Sequence, residues 1–244
     1  MLLLLFRKKR QPPTIKMTAI LYTHNEFIRP IVPECLINYF KLDINVVEIT
    51  NDVDNFLTEF PLKAVPALIM ADGQKFHEQV AINNLLVHES HNQAEITKLL
   101  GPADDYKLQS DILLICSFST SDLLGQLGVY GLADMKGVPV SKESAQHAER
   151  NLDVMFKLFE ERLAKHKFLV SDNITLADLT AAASFFFGFI TMFGSEWRAK
   201  HPRISEWFAA TIKSEYMQYR FKDFKFIDTP ATISATPLPW DPNH

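Results

Sequence analysis

Residues 60–82 read FPLKAVPALIMADGQKFHEQVAI, and this stretch decides the fold. An apolar run from Ala67 to Met70 follows directly after Pro66, which cannot donate a hydrogen bond to a sheet ladder. Pro66 therefore marks either the start of a strand or an edge position. The Asp72-Gly73 pair is a turn signal, and the residues KFHE after it favour a second short strand. The stretch predicts an antiparallel hairpin.

The residues around this hairpin alternate between strand and helix patterns. Strands are predicted at 18–23 (TAILYT) and 44–49 (INVVEI), with a helix between them that opens near Pro30. A short helix, DVDNFLTEF, precedes the hairpin, and helical spacing resumes over residues 80–90. The order β-α-β-α-β-β-α predicts a compact α/β domain over residues 17–92.

Beyond Gly101-Pro102 the strand signals vanish, and residues 102–226 predict an all-helical domain. Helices are expected over 104–128 and 144–165, followed by the segment ITLADLTAAASFFFGFI. That segment begins with Thr175 as a helix cap and Asp178 in the capping-box position. Because it is apolar nearly all round, it should be the buried centre of the helical domain.

Both ends of the chain are expected to lie outside the two domains. Residues 1–16 place a short apolar run before a basic cluster, which is the reverse of the order in a secretory signal. We interpret them as a mobile basic arm; alternatively, the protein starts at Met17. Residues 227–244 are expected to form a surface tail. No segment approaches eighteen consecutive apolar residues, so the sequence predicts no membrane span and a soluble, cytoplasmic protein.

The composition argues against several classes of function. A net charge of -4 gives no reason to expect a nucleic-acid partner, and no glycine-rich phosphate-binding motif occurs among only 8 glycines. Cys35 and Cys116 stand far apart without a C-x-x-C motif, which fits a reducing compartment and predicts core packing. His88 and His91 are three residues apart and suit a solvated helix end, so we predict no metal site.

Two segments of the sequence resemble glutathione transferases. FPLKAVPALIM…FHEQVAINNLL is similar to their thioredoxin-like domain, in which a Val-Pro-Ala turn precedes a hairpin and an acidic-plus-hydroxyl pair opens a helix. TLADL at 175–179 is similar to the capping segment of the buried central helix in their second domain. The resemblance runs from about residue 18 to residue 225. The segments IVPECL, FPLKAVPAL, AIN, EWRAKHP and KDFKF also resemble the transferase-like N-terminal region of fungal elongation factor 1 gamma subunits.

This resemblance implies a glutathione site around the proline turn. A cis Val65-Pro66 bond would leave the Val65 backbone open to pair with the cysteinyl part of glutathione, as an added strand. The resemblance implies that Glu78 and Gln79 hold the γ-glutamyl end at a helix N-terminus, where a carboxylate is favoured. Gln79 stands where the family has serine, although its amide can still donate. Lys63 is a further binding candidate, one position earlier than the family's usual basic residue.

The thiol-activating residue is less clearly marked. In the family, a hydroxyl after the first strand donates to the sulfur, which makes Thr23 the first candidate for the catalytic group. The alternatives are Tyr22, His24 and Asn25, and none of the four stands in an S/T-x-x-P context. Thr23 can equally be an ordinary strand-end threonine. Arg29 is interpreted either as a source of positive potential or as a capping or surface residue.

Two functions from different classes follow from the resemblance. One is a detoxifying enzyme that conjugates glutathione, its co-substrate, to a small hydrophobic electrophile. The other is a non-catalytic module that docks onto a partner protein in translation elongation. The resemblance also implies a homodimer, because transferases of this fold usually pair the first domain of one chain with the second domain of the other. The phenylalanines 185–187 and 189 are expected in the core, although such residues can also line an electrophile pocket.

Overall fold

A computed structural model of the protein describes residues 18–132 and 141–230. The basic arm predicted for residues 1–16 lies outside the described residues. The predicted tail at 227–244 is described only as far as Pro230.

The N-terminal part of the described chain has the predicted order of strands and helices. Its elements are β1 (Ala19–Thr23), α1 (Ile31–Phe40), β2 (Ile44–Glu48), α2 (Val53–Glu59), β3 (Ala67–Ile69), β4 (Lys75–His77), α3 (Gln79–Glu89) and α4 (Gln93–Leu100). Helix α4 was not predicted. Asn92 caps it by accepting hydrogen bonds from the backbone N–H groups of Ala94, at 3.1 Å, and Glu95, at 3.3 Å.

The four strands form one sheet in the order β2-β1-β3-β4. Strand β1 is parallel to β2 and antiparallel to β3, while β3 and β4 form the predicted hairpin. Pro66 immediately precedes Ala67, the first residue of β3, so its missing N–H does not interrupt the ladder. Gly73 has a φ of 87° in the hairpin turn, a backbone conformation that glycine adopts without strain.

The C-terminal part is helical, as predicted. Its helices are α5 (Tyr106–Phe118), α6 (Leu124–Leu132), α7 (Lys142–Leu163), α8 (Leu176–Thr191), α9 (Ser195–Lys200), α10 (Pro202–Ile212) and α11 (Gln218–Phe221). Between α5 and α6, residues Ser119–Leu123 form a π-helical segment, so the two helices are continuous through it.

Helix α8 is the buried centre of the helical part. Phe185 and Phe189 are fully buried, as expected for core residues, whereas Phe186 and Phe187 are half-buried and pack against the same core. At the start of the helix, Asp178 accepts hydrogen bonds from the backbone N–H of Thr175 at 2.8 Å and from the indole of Trp207 at 2.9 Å. Burial raises the pKa of the Asp178 carboxyl, and these hydrogen bonds act in the opposite direction. The predicted capping box is therefore present.

Among the described residues, one run of helix, Tyr106–Gly131, is long and apolar enough by length and composition to cross a membrane. In this structure it packs against α7 and α8. Core helices of water-soluble proteins pass the same test, so this run is weak evidence for a span.

Candidate functional site

A cleft of about 300 Å³ lies where the start of α3, the turn before β3 and the π-helical segment meet. These three elements come from distant parts of the chain. The cleft is lined by Arg29, Ala64, Val65, Pro66, Glu78, Gln79, Val80, Thr120 and Ser121. Val65, Pro66, Glu78 and Gln79, four of the predicted binding residues, thus line one cleft. The helical part of the chain contributes Thr120 and Ser121 to the same lining.

The turn before β3 supplies one wall of the cleft. The Val65-Pro66 peptide bond is cis, the isomer that would leave the Val65 backbone open to a ligand. Both residues are buried, and Val65 packs in a small cluster with Phe56 and Phe60. The rigid packing under the turn fixes the position of its backbone in the cleft.

The start of α3 supplies the wall that faces the turn. Glu78 is the N-cap residue of this 11-residue helix and has a φ of 73°, which is a strained conformation for a residue with a side chain. Gln79 follows it and is only 4% exposed. Within the described residues, the side-chain nitrogen Nε2 of Gln79 has no hydrogen-bond partner. A helix N-terminus with a spare amide donor suits a carboxylate ligand.

Arg29 closes the cleft on the side of α1. It directly precedes Pro30, the N-cap residue of α1, and its side chain is exposed to the cleft. Its Nη2 lies 3.4 Å from the carbonyl oxygen of Thr120, in the π-helical segment. Such segments occur frequently at functional sites. Sequence reasoning missed Thr120 and Ser121, since the residues STSDL carry no recognisable signal for a π-helical turn.

The structure does not bring Thr23 into the lining of this cleft. Thr23 is 3% exposed, and its hydroxyl donates to the carboxylate of Glu34. The Tyr22 hydroxyl donates to Asp52 Oδ2 at 2.9 Å. Burial first, and the neighbouring carboxylate second, raise the pKa of Tyr22 to about 12. Both hydroxyls are therefore engaged with carboxylates away from the cleft lining.

The remaining predicted candidates also lie outside the lining. His24 is buried, stacks on Phe27 with ring centroids 4.4 Å apart, and accepts a bond from the Glu26 N–H at 3.2 Å. Asn25 donates its backbone N–H to Glu48 at 2.8 Å. Lys63 lies in the turn before the cleft with a φ of 54°.

Neither cysteine is placed for chemistry. Cys35 and Cys116 are free and buried, which confirms the prediction of core packing. Burial raises the pKa of both thiols to about 12. Across residues 18–132 and 141–230, no group of three or more histidine, cysteine or acidic side chains is arranged to hold a metal ion.

Comparison with known proteins agrees with this architecture. Residues 110–215 match the model of the glutathione S-transferase C-terminal domain. Glutathione S-transferase psoE of Aspergillus fumigatus is 30% identical over 208 residues, which cover 80% of each protein. The chain therefore belongs to the glutathione S-transferase family.

Within this family the chain is similar to a particular group of proteins. Elongation factor 1-gamma 1 of Saccharomyces cerevisiae is 39% identical over 203 residues, which are 83% of this chain and 49% of that protein. The chain thus spans about half the length of this relative. The crystal structure of the GST-like domain of elongation factor 1-gamma from the same yeast superposes with a TM-score of 0.78 at 38% identity. It covers 87% of this chain and 97% of that domain.

Proposed function

We propose that this protein binds glutathione in the cleft between the proline turn and α3, and conjugates its thiolate to electrophilic substrates. The observation that carries the proposal is the convergence of Val65, Pro66, Glu78 and Gln79 on one cleft of about 300 Å³. A volume of this size is at the lower end for small-molecule sites.

Each end of glutathione has a matching group in the proposed complex. The Val65 backbone pairs with the cysteinyl residue in the manner of an added strand. The γ-glutamyl carboxylate lies at the N-terminus of α3, where the helix dipole and the Gln79 amide favour a negative charge. Glutathione is the co-substrate, and the second substrate is a small electrophile that enters past Thr120 and Ser121.

The proposal keeps the division into a thioredoxin-like domain at 17–92 and a helical domain at 102–226. Helix α4, at Gln93–Leu100, then lies between the two domains. The free cysteines support a reducing compartment, and we place the protein in the cytoplasm on that ground.

The second candidate function is a non-catalytic docking module for a translation-elongation partner. Two observations favour it. The relatives with the name elongation factor 1-gamma share this fold, and the Thr23 hydroxyl is bound to Glu34 outside the cleft lining. In this case the cleft would be a remnant, and the partner would bind elsewhere on the surface.

Calorimetric titration with glutathione, beside a conjugation assay with 1-chloro-2,4-dinitrobenzene, separates the two functions. Binding together with turnover of the halide is the expected result. Binding without turnover would contradict the proposed conjugation activity and leave only the proposed glutathione site. The absence of heat at millimolar glutathione would overturn the proposal and leave the docking module as the better function.

A further inference from the structure

The guanidinium of Arg29 has capacity for another ligand. Arginine has five N–H donors, and the contact of Arg29 with the Thr120 carbonyl, at 3.4 Å, is long. Within the described ranges 18–132 and 141–230, Arg29 forms no ion pair with a carboxylate. Arg220 is different, because it is bound to Glu34 and to the carbonyl oxygen of Asn25.

Hydroxyl donors near the cleft are already engaged. The Thr120 hydroxyl donates to the carbonyl oxygen of Cys116 at 2.9 Å, and that of Ser121 donates to Ser117 at 2.7 Å. Thr23 and Tyr22 donate to carboxylates outside the lining. To activate a thiol, any of these groups would have to give up a hydrogen bond that it makes inside the protein.

Charge in the cleft is divided between its two sides. The ionisable residues in the lining are Arg29 on the α1 side and Glu78 at the start of α3. With the γ-glutamyl end at α3 and the cysteinyl residue on Val65, the α1 side remains for the sulfur. An anion there would meet the guanidinium of Arg29, which can donate charge-assisted hydrogen bonds to it.

We propose that Arg29 is the catalytic group that holds the glutathione thiolate in this cleft, in place of a hydroxyl. This inference rests on the proposed glutathione site. On binding, the thiol loses its proton to a solvent base, and the guanidinium donates charge-assisted hydrogen bonds to the sulfur anion. The sulfur anion uses its electron pair to form a bond with the electrophilic carbon, and the bond from that carbon to its leaving group breaks; with 1-chloro-2,4-dinitrobenzene, chloride leaves with that electron pair.

The loop that leads to Arg29 is held by hydrogen bonds at Asn25 and Phe27, which keeps its backbone in place. The Asn25 carbonyl accepts a bond from Arg220 at 3.0 Å, and the Asn25 N–H donates to Glu48 at 2.8 Å. The Phe27 N–H donates to the His24 carbonyl at 3.0 Å. The long side chain of Arg29 therefore extends into the cleft from a fixed loop.

The test compares glutathione with S-methylglutathione, which has the same backbone and carboxylates but no ionisable thiol. Both are titrated calorimetrically at pH 7 into the full chain, in two buffers of different ionisation enthalpy, so that proton release is measured. The variant is Arg29→Gln. The matched control is Arg150→Gln, which removes an exposed arginine on α7 that does not line the cleft.

If Arg29 holds the thiolate, Arg29→Gln weakens glutathione binding by about tenfold, which corresponds to one unit of thiol pKa. The number of protons released on glutathione binding also falls, while the affinity for S-methylglutathione stays within about twofold. Arg150→Gln leaves the affinities for both ligands unchanged. Equal weakening of the binding of both ligands would show that Arg29 contacts a carboxylate, and unchanged binding would show that it contacts neither ligand. Either result overturns the role of Arg29 but leaves the proposed glutathione site standing. Failure of the unsubstituted protein to bind either ligand would overturn the proposed function as well.

Discussion

The carboxylate of Glu34, in the first turn of α1, forms an ion pair with the guanidinium of Arg220 in α11. The two residues are 186 positions apart in the chain. Glu34 is 4% exposed, and the same carboxylate accepts the hydroxyl hydrogen bond of Thr23. One buried acidic group thus joins the end of β1, the start of α1 and the last helix of the described chain.

Arg220→Gln should lower the free energy of unfolding by about 3 kcal/mol, because it leaves the buried Glu34 charge without its partner. Urea unfolding followed by circular dichroism measures this change. Arg203→Gln is the matched control, since Arg203 pairs with Glu160 at 3.5 Å and its side chain is 54% exposed. An exposed pair contributes about 0–1 kcal/mol. Equal losses in the two variants would contradict a structural role for the Glu34–Arg220 pair.

Gln79→Ala should weaken glutathione binding by about tenfold, because it removes a buried donor at the N-terminus of α3 that would meet the γ-glutamyl carboxylate. Titration calorimetry measures the affinity. Gln93→Ala is the control, since Gln93 opens α4 and is exposed. An unchanged affinity in Gln79→Ala would mean that the backbone of α3 alone holds the carboxylate, or that the ligand lies elsewhere.

Local signals account for what the sequence predicted well. The turn at Val65-Pro66, the Asp72-Gly73 hairpin and the capping box of Thr175 with Asp178 each depend on residues within a few positions of one another. The burial of α8 follows in the same way from its apolar character on all sides.

Long-range geometry accounts for what the sequence could not give. The pairing of Glu34 with Arg220 depends on how helices that are distant in the chain pack, and no local sequence pattern predicts it. Ser119–Leu123 reads as ordinary helix, so its π-helical geometry and the approach of Thr120 to Arg29 were not predictable. The role assigned to Thr23 stays a prediction, and the structure adds that its hydroxyl is bound to Glu34.

The thiols of Cys35 and Cys116 should be inert in the native protein. Their pKa values, raised by burial to about 12, leave a thiolate fraction on the order of 10⁻⁴ at pH 8. We expect negligible reaction with Ellman's reagent at pH 8 in buffer, and two equivalents in denaturing urea. Rapid labelling of the native protein would contradict the core assignment.

The raised pKa values of the two thiols also make the free energy of unfolding depend on pH in the alkaline range. Because the folded pKa lies above the unfolded value of 9.0, folding favours the protonated thiols. Their contribution to the free energy of unfolding is complete below pH 9 and is lost as the pH rises towards 12. Replacing both cysteines with alanine should flatten this part of the pH profile, measured by urea unfolding. An equally steep decline in the double variant would assign the effect to other groups.

An exposed apolar surface on α5 should be the contact between two copies of the chain. Tyr106, Leu113 and Leu114 are 70%, 48% and 52% exposed and lie along the exposed side of this helix. Isologous dimers are the commonest assemblies of soluble proteins, and they bury such surfaces. We therefore expect the unsubstituted protein to have twice the mass of one chain in size-exclusion chromatography with light scattering at micromolar concentration.

Charged substitutions on this surface should separate the two copies. The double variant Leu113→Glu with Leu114→Glu places two like charges on each face of a symmetric contact, which opposes association and leaves the fold intact because both side chains are exposed. Val154→Glu is the control, since Val154 is 71% exposed on α7 and its substitution adds the same kind of charge elsewhere. We expect a monomer for the double variant and a dimer for the control. A dimeric double variant would show that the interface does not lie on α5. A monomeric unsubstituted protein would make the homodimer prediction wrong.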